Sequence, residues 1–238
     1  MTKKFATTLI LSGTLLSSCN SLQNIDLGQV AGVLLNSQNS ENTIDLGLKD
    51  ALKVGTERAV TTLSKNGGYS QNSALKILMP AKLQKVSSTL RNVGLGSMVD
   101  NFETKMNEAA EKAVVQAAPV FLRSIKKMNF DDARQLLSGQ PTAITDFFSK
   151  HSRSELKGIY EPIINKKMRE LGAIQKYDQL MTRYNQIPFV PKTEFSIDDY
   201  VTEQALDGLF SHLALVEKDI RTNPQARTTA LLKKVFSK

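Results

Sequence analysis

The stretch that decides the fold is MVDNFETKMNEAAEKAVVQ, Met98–Gln116. Apolar side chains recur along it at helical spacing, which predicts one long amphipathic helix; among them are Phe102, Ala109 and Ala113. Alanines carry little side-chain volume, so a neighbouring helix can approach this one closely. We therefore expect the helix at the centre of its domain.

Helical periodicity extends to both sides of this centre. An apolar stripe through Leu48, Leu52 and Leu63 precedes it, and a long helix from Ile197 to about Thr222 follows it. Leu75–Pro80 is a short apolar run that ends in proline, which favours an extended segment. The pattern predicts an all-α fold, a single irregular multi-helix domain of about eight helices, with room for one small β element.

Polar residues mark where several of these helices should begin. Asp131 is expected to cap a short helix, and Ser152 with Glu155 has the spacing of a capping box. The acidic pairs Asp131–Asp132 and Asp198–Asp199 fall at helix starts, where carboxylates complement the helix dipole. Capping is therefore favoured for these pairs over catalysis or calcium binding.

The N-terminal residues have the organisation of a secretory signal. Lys3 and Lys4 precede a short, mostly apolar run, Phe5–Leu16, which ends near small residues. Leu16-Ser17-Ser18-Cys19 then resembles the lipobox of bacterial lipoproteins. The resemblance implies that residues 1–18 are removed and that Cys19 is lipidated. An ordinary secretory signal with an incidental cysteine is the alternative.

The lipobox resemblance also implies a location. In such proteins the cysteine carries a diacylglyceryl group and usually a further acyl chain such as palmitate, and Asn20 after it favours the outer membrane. Residues 19–43, rich in Asn, Ser, Gln and Gly, are interpreted as a flexible lipidated tether, and residues 44–238 as the helical domain. We expect a lipid-anchored envelope protein that faces the periplasm.

The charge of the chain is modestly basic. Loss of residues 1–18 removes two lysines and no acidic residue, which lowers the formal net charge from +8 to +6. The remaining basic residues are scattered, so no nucleic acid is expected as a partner. Anionic lipid headgroups, acidic proteins or plain solvent are the surroundings that this charge suits.

The residues offer little chemistry. Cys19 is the only cysteine, which excludes an internal disulfide, and the two histidines, His151 and His212, lack the spacing of a zinc-protease helix. Both histidines are interpreted as solvated surface residues. The sequence assigns no catalytic residue, no metal site and no cofactor.

Charged residues surround the break "TNP" near the C-terminus. Asp219 or Glu217 held against Arg227 would form a structural latch, whereas Arg221 and Arg227 together would offer an anion-binding site. The latch is the favoured interpretation.

Aromatic residues are grouped just before and within a connector that holds two prolines: Tyr160, Tyr177, Tyr184 and Phe189. They would either line a groove for a lipid tail or peptide, or cover the core with their polar ends outward. The second interpretation is favoured.

Three segments resemble the domain-of-unknown-function family 4197: GLKDALKVG at Gly47, MNEAAEKAVVQAAPVF at Met106 and YVTEQALDGLFSHLALVEKDIRTNPQARTTALLKKVF at Tyr200. The resemblance covers about Asp45 to Phe236 and implies an envelope location and one helical domain, with no established activity. The expected function is non-catalytic binding of an apolar ligand or an envelope protein. A periplasmic hydrolase and a purely structural component are the alternatives.

Overall fold

A computed structural model describes residues 40–191, residue 195 and residues 197–236. The α-helices of this part are α1 Ser40–Leu63, α2 Gln84–Asn92, α3 Gly96–Ala113, α4 Ala117–Lys127, α5 Phe130–Ser138, α6 Ala143–Glu170, α7 Ala173–Asn185, α8 Ile197–Thr222 and α9 Ala230–Phe236. Within the described residues there is no strand, so the all-α prediction is confirmed. The predicted signal peptide, Cys19 and most of the tether lie outside them.

Helix α3 contains most of the predicted central stretch. It packs against α2, α6, α7 and α8. Phe102, Ala109 and Ala113 are fully buried, and the ring of Phe102 lies 5.5 Å from that of Tyr177 on α7. Small side chains therefore face the neighbouring helices, as the sequence pattern indicates.

Helix α6, the longest in the described part of the chain, packs on α8 and also on α3. It runs unbroken through Pro162. The predicted capping box is wrong, because Ser152 lies buried in mid-helix, 3.0 Å from the hydroxyl of Ser124. On the outer surface Arg153 bridges to Glu203 of α8.

The short helix α5 corrects a second helix start. Its cap is Asn129, whose side chain accepts from the backbone N–H of Asp132 while the Asp132 carboxylate accepts from that of Asn129. This is a capping box two residues earlier than the predicted cap at Asp131.

The chain between α1 and α2 is held by buried polar side chains of α3. The Glu111 carboxylate, 2% exposed, accepts the backbone N–H groups of Gly67, Tyr69 and Ser70 at 3.1–3.3 Å, and the Ser70 hydroxyl at 3.2 Å. Four donors thus satisfy one buried oxygen. The Tyr69 hydroxyl in turn donates to the carbonyl of Ala205 at 2.7 Å.

Two more buried polar side chains, one and two turns earlier on α3, bind the same part of the chain. Asn107 accepts from the N–H of Ile77 at 2.9 Å and donates to its carbonyl at 2.8 Å, and Glu103 accepts from the N–H of Met79 at 3.0 Å. Leu75 lies in a turn and residues 76–80 belong to no helix or strand, so the segment is not helical, as expected. The polar face of α3 satisfies the backbone of Ile77 and Met79 in place of a neighbouring strand. We call Glu103, Asn107 and Glu111 the polar ladder.

Candidate functional site

An apolar pocket lies where α1, α6, α8 and α9 meet. Its walls are formed mainly by aliphatic and aromatic side chains: Ala51, Leu52, Ile144, Phe148, Leu213 and Ile220. The free volume is about 20 Å3. That is enough for a single water-sized group, since a water needs at least about 10–15 Å3 of such space. Phe236, the last residue of α9, closes one side of the pocket.

Helix α1 contributes to the pocket a glycine, which has no side chain, and one polar group. Gly55 faces α8, and a methyl group at this position would meet Ile220 and Val216 at 3.7 and 4.0 Å, which is ordinary contact. Next to it, Thr56 is 1% exposed, and its hydroxyl forms no hydrogen bond with any residue that the structure describes. A buried polar group without a partner is rare and indicates a place for a ligand atom or water.

Glu217 of α8 is the acidic residue of the pocket, and its hydrogen bonds tie it to α6. Its carboxylate accepts the backbone N–H groups of Ile144 and Thr145 at 3.1 and 2.9 Å, and the Thr145 hydroxyl at 2.8 Å. These two N–H groups belong to the first turn of α6, which has no carbonyl partners of its own. The buried carboxylate also complements the positive end of the helix dipole.

Arg221, one turn after Glu217, completes the attachment. Its Nε donates to Glu217 at 2.9 Å, and its two terminal nitrogens donate to the carbonyls of Leu137 and Leu136 at 2.8 and 2.7 Å. Those carbonyls lie in the last turn of α5. The pair Glu217–Arg221 therefore fixes the α5–α6 turn to α8, and we call it the corner pair.

The latch predicted around Arg227 takes a different form. Arg227 donates to the carbonyls of Ile220 and Arg221 at 3.0 and 2.9 Å, so it caps the C-terminus of α8 and does not pair with Asp219 or Glu217. Asp219 is exposed and accepts from the side chain of Asn223 at 3.1 Å. The guanidinium groups of Arg221 and Arg227 thus donate to different backbone carbonyls.

Between α8 and α9, hydrogen bonds attach the chain to α1. Arg58 donates to the carbonyl of Ala226 at 3.1 Å, and Thr229 donates to Asp50 at 3.0 Å. Helix α9 follows these contacts. It has seven residues, and Leu232 among them is fully buried. The guanidinium carbon of Arg221 lies over the ring of Phe236, 5.7 Å from the ring centre.

The two histidines have different surroundings. His151 is exposed, as predicted, with its Nδ1 2.8 Å from the carbonyl of Phe147. His212 is half-buried, which corrects the prediction of a solvated residue, and its Nδ1 has no partner among the described residues. Burial lowers the pKa of His212. The described residues contain no group of three or more potential metal ligands.

Three of the four aromatic residues grouped by the sequence belong to the core. Tyr160 and Tyr184 are buried, and the Tyr160 hydroxyl donates to the carbonyl of Val114. Tyr177 is half-buried and donates to the carbonyl of Phe195 at 2.9 Å. Phe189 differs from them, because its side chain is fully exposed.

The pocket, the corner pair and the polar ladder all lie within one family match. The family described as protein of unknown function (DUF4197) matches residues 38–237. This chain belongs to that family. No curated protein and no solved structure shows a significant match to the chain. None of the helices in the described part of this DUF4197 protein has the length and apolarity needed to cross a membrane.

Proposed function

We propose that this chain is a lipid-anchored protein of the bacterial envelope that binds an apolar ligand without catalysing a reaction. The observation that carries the proposal is the apolar pocket, whose only unpartnered polar atom among the described residues is the Thr56 hydroxyl. Such a lining suits an apolar molecule with one hydrogen-bonding group, since most of its surface would be buried against hydrocarbon.

A ligand larger than one or two atoms requires the pocket to open. The free volume of about 20 Å3 accepts only the end of such a molecule. Helix α9 is the element best suited to move, because it is short and contributes Phe236 to the pocket wall. Outward movement of Phe236 would extend the pocket to the surface, so that an acyl chain enters there with its end near Thr56.

The experiment is a fluorescence titration with N-phenyl-1-naphthylamine, followed by displacement with palmitate. We expect saturable binding of the probe by the wild-type protein and its displacement by palmitate. Gly55→Ala is the blocking control, because the added methyl group occupies pocket space without a clash. Gly158→Ala, at an exposed helical glycine with open space around it, is the matched variant that should bind as the wild type does. Binding that Gly55→Ala leaves unchanged would refute the pocket as the site.

The anchor is tested separately. We propose that Cys19 carries the lipid and holds the protein in the outer membrane, facing the periplasm. Cys19→Ala should leave the protein in the soluble fraction or unprocessed, with no acyl mass at residue 19. A variant that keeps the membrane fractionation and mature mass of the wild type would refute the anchor while leaving the pocket unaffected.

A further inference from the structure

The connector between α7 and α8 holds an aromatic side chain away from the protein. Phe189 is 106% exposed relative to an extended reference, and its φ is 64°. It is the only non-glycine residue of the described part with a positive φ. A left-handed backbone costs a residue with a β-carbon about 1–3 kcal/mol. The fold thus accepts conformational strain at a side chain that contributes nothing to the core.

The residues next to Phe189 prevent it from folding back. Ile187 and Val190 are half-buried and pack against the core, and the N–H of Ile187 donates to the carbonyl of Tyr184 at 3.0 Å. Pro188 and Pro191 restrict the backbone on either side. With its neighbours fixed, Phe189 gains apolar burial only from something other than the described residues, and full burial of a phenylalanine is worth about 1.5–3 kcal/mol.

Further apolar and aromatic groups lie where the connector ends. The ring of Phe195 is 6.0 Å from that of Tyr200, and the Tyr200 hydroxyl donates to the carbonyl of Leu78 at 3.0 Å. Leu78 is 49% exposed, and Tyr200 is half-buried. A tyrosine whose ring is partly exposed beside aliphatic groups suits the boundary between acyl chains and headgroups.

One basic residue lies beside these groups, and two more lie on the helix that precedes the connector. The ammonium of Lys82 lies 6.0 Å from the centre of the Phe195 ring, and α7, which leads into the connector, carries the exposed Lys176 and Arg183. None of the three forms an ion pair within the described part of the chain, whereas Lys166 and Lys167 share Glu170. Each basic residue close to an anionic membrane contributes about 1 kcal/mol of attraction.

We infer that residues 186–191 of this connector, which carry Phe189, dock on an anionic lipid bilayer. Phe189 enters the acyl region, while Lys82 and Arg183 contact the headgroups. This contact is separate from the ligand pocket, and it does not require the lipid at Cys19. If that anchor is present, it raises the effective concentration of membrane next to the connector, so that even this modest affinity gives a fixed orientation.

The chain contains no tryptophan, so Phe189→Trp provides a single fluorescent reporter. Leu215→Trp, at a 57% exposed position on α8, is the matched control. The experiment uses the unlipidated chain of residues 20–238, which retains every buried core residue from Leu48 to Leu232. Vesicles of phosphatidylcholine with about one third phosphatidylglycerol supply the anionic surface. Circular dichroism checks that both variants keep the wild-type helical content.

We expect the tryptophan emission of Phe189→Trp to shift to the blue on these vesicles and to be quenched by brominated acyl chains, with the emission of Leu215→Trp unchanged. The shift should disappear in about 0.5 M salt, where charge attraction is screened within a few ångströms. In sedimentation with vesicles, Phe189→Ser should bind about tenfold more weakly than the wild type, which corresponds to loss of the apolar contact.

Two results would overturn the inference directly: no shift for Phe189→Trp, or an equal shift for Leu215→Trp. A shift for Phe189→Trp that grows with protein concentration without lipid would also overturn it, because a second copy would then be the occupant.

Discussion

The polar ladder and the corner pair both supply hydrogen-bond acceptors to buried backbone N–H groups, but their surroundings differ. In both, a buried glutamate accepts backbone N–H groups from another part of the chain. Glu111 accepts four donors on one oxygen, and Glu217 accepts four donors on its two oxygens. The difference is that Glu217 lies next to a pocket in which the Thr56 hydroxyl has no partner among the described residues. A fully satisfied polar group stabilises one structure, and an incompletely satisfied one leaves a place where a ligand can contribute. We therefore assign a structural role to both the ladder and the corner pair, and the proposed ligand site is the pocket beside the corner pair, where Thr56 lies.

The largest effect is expected at Glu111, because three backbone N–H groups of one segment depend on its carboxylate. Glu111→Ala leaves the N–H groups of Gly67, Tyr69 and Ser70 without their acceptor and should lower the free energy of unfolding by about 3–5 kcal/mol. Urea denaturation measures this change. Glu108→Ala, one turn away and paired with Lys105 at the partly exposed surface, is the control and should cost less than about 1 kcal/mol. Equal costs for the two variants would contradict a special role for the ladder.

Substitution in the corner pair should lower the free energy of unfolding somewhat less. Glu217→Ala removes the acceptor of Ile144 and Thr145 and leaves Arg221 without its carboxylate, so we expect a loss of about 2–4 kcal/mol in the free energy of unfolding. Thermal denaturation and urea denaturation both report it. Asp219→Ala alters only an exposed side chain of the same helix and should be close to the wild type. A near-neutral Glu217→Ala would mean that the α5–α6 turn is held by packing alone.

Two threonines near the pocket separate the satisfied from the unsatisfied hydroxyl. Thr145→Val removes the hydroxyl that donates to Glu217 and should destabilise the protein by about 1–2 kcal/mol. Thr56→Val removes a buried hydroxyl without a partner among the described residues and should stabilise the ligand-free protein by about 1 kcal/mol. The measurement is the urea midpoint of both variants. A destabilised Thr56→Val would show that this hydroxyl is already satisfied, and the contrast between the two regions would lose its basis.

The smallest effect concerns pH. Burial lowers the pKa of His212 from its ordinary value of 6.5, so the unfolded chain binds a proton more readily than the folded one does. Stability should therefore fall as the pH is lowered through about 6.5 toward the folded pKa of His212. His212→Gln should reduce that slope in thermal melts between pH 7.5 and pH 5, a range of about one unit or more on either side of an ordinary histidine pKa. His151→Gln should leave it unchanged, and equal slopes for wild type and His212→Gln would refute the assignment.

The sequence predicted the helices because their apolar periodicity is strong, and the alanines of Met98–Gln116 correctly indicated a central helix. It failed where an element depends on partners distant along the chain. Ser152 fits a capping box by spacing, yet it is buried against Ser124 in the middle of α6. A one-dimensional pattern gives no sign of such a contact, so the wrong helix start was predicted.

The candidate site could be predicted from the sequence only in part. Arg221 was singled out, but its acceptors Leu136 and Leu137 lie more than 80 residues away. One signal for the ladder was present and was missed: Glu103, Asn107 and Glu111 recur every four residues on a helix face whose other members are apolar. Polar residues at buried helical positions indicate backbone groups that need partners.

The measurement that tests the central claim most directly is native mass spectrometry of the wild-type protein, extracted gently from the envelope, beside Gly55→Ala. We predict a mass excess of one apolar molecule on the wild type beyond any lipid at Cys19, and none on Gly55→Ala. A wild-type protein without this excess, which also takes up no palmitate added at saturating concentration, would contradict the assignment of the pocket as a ligand site.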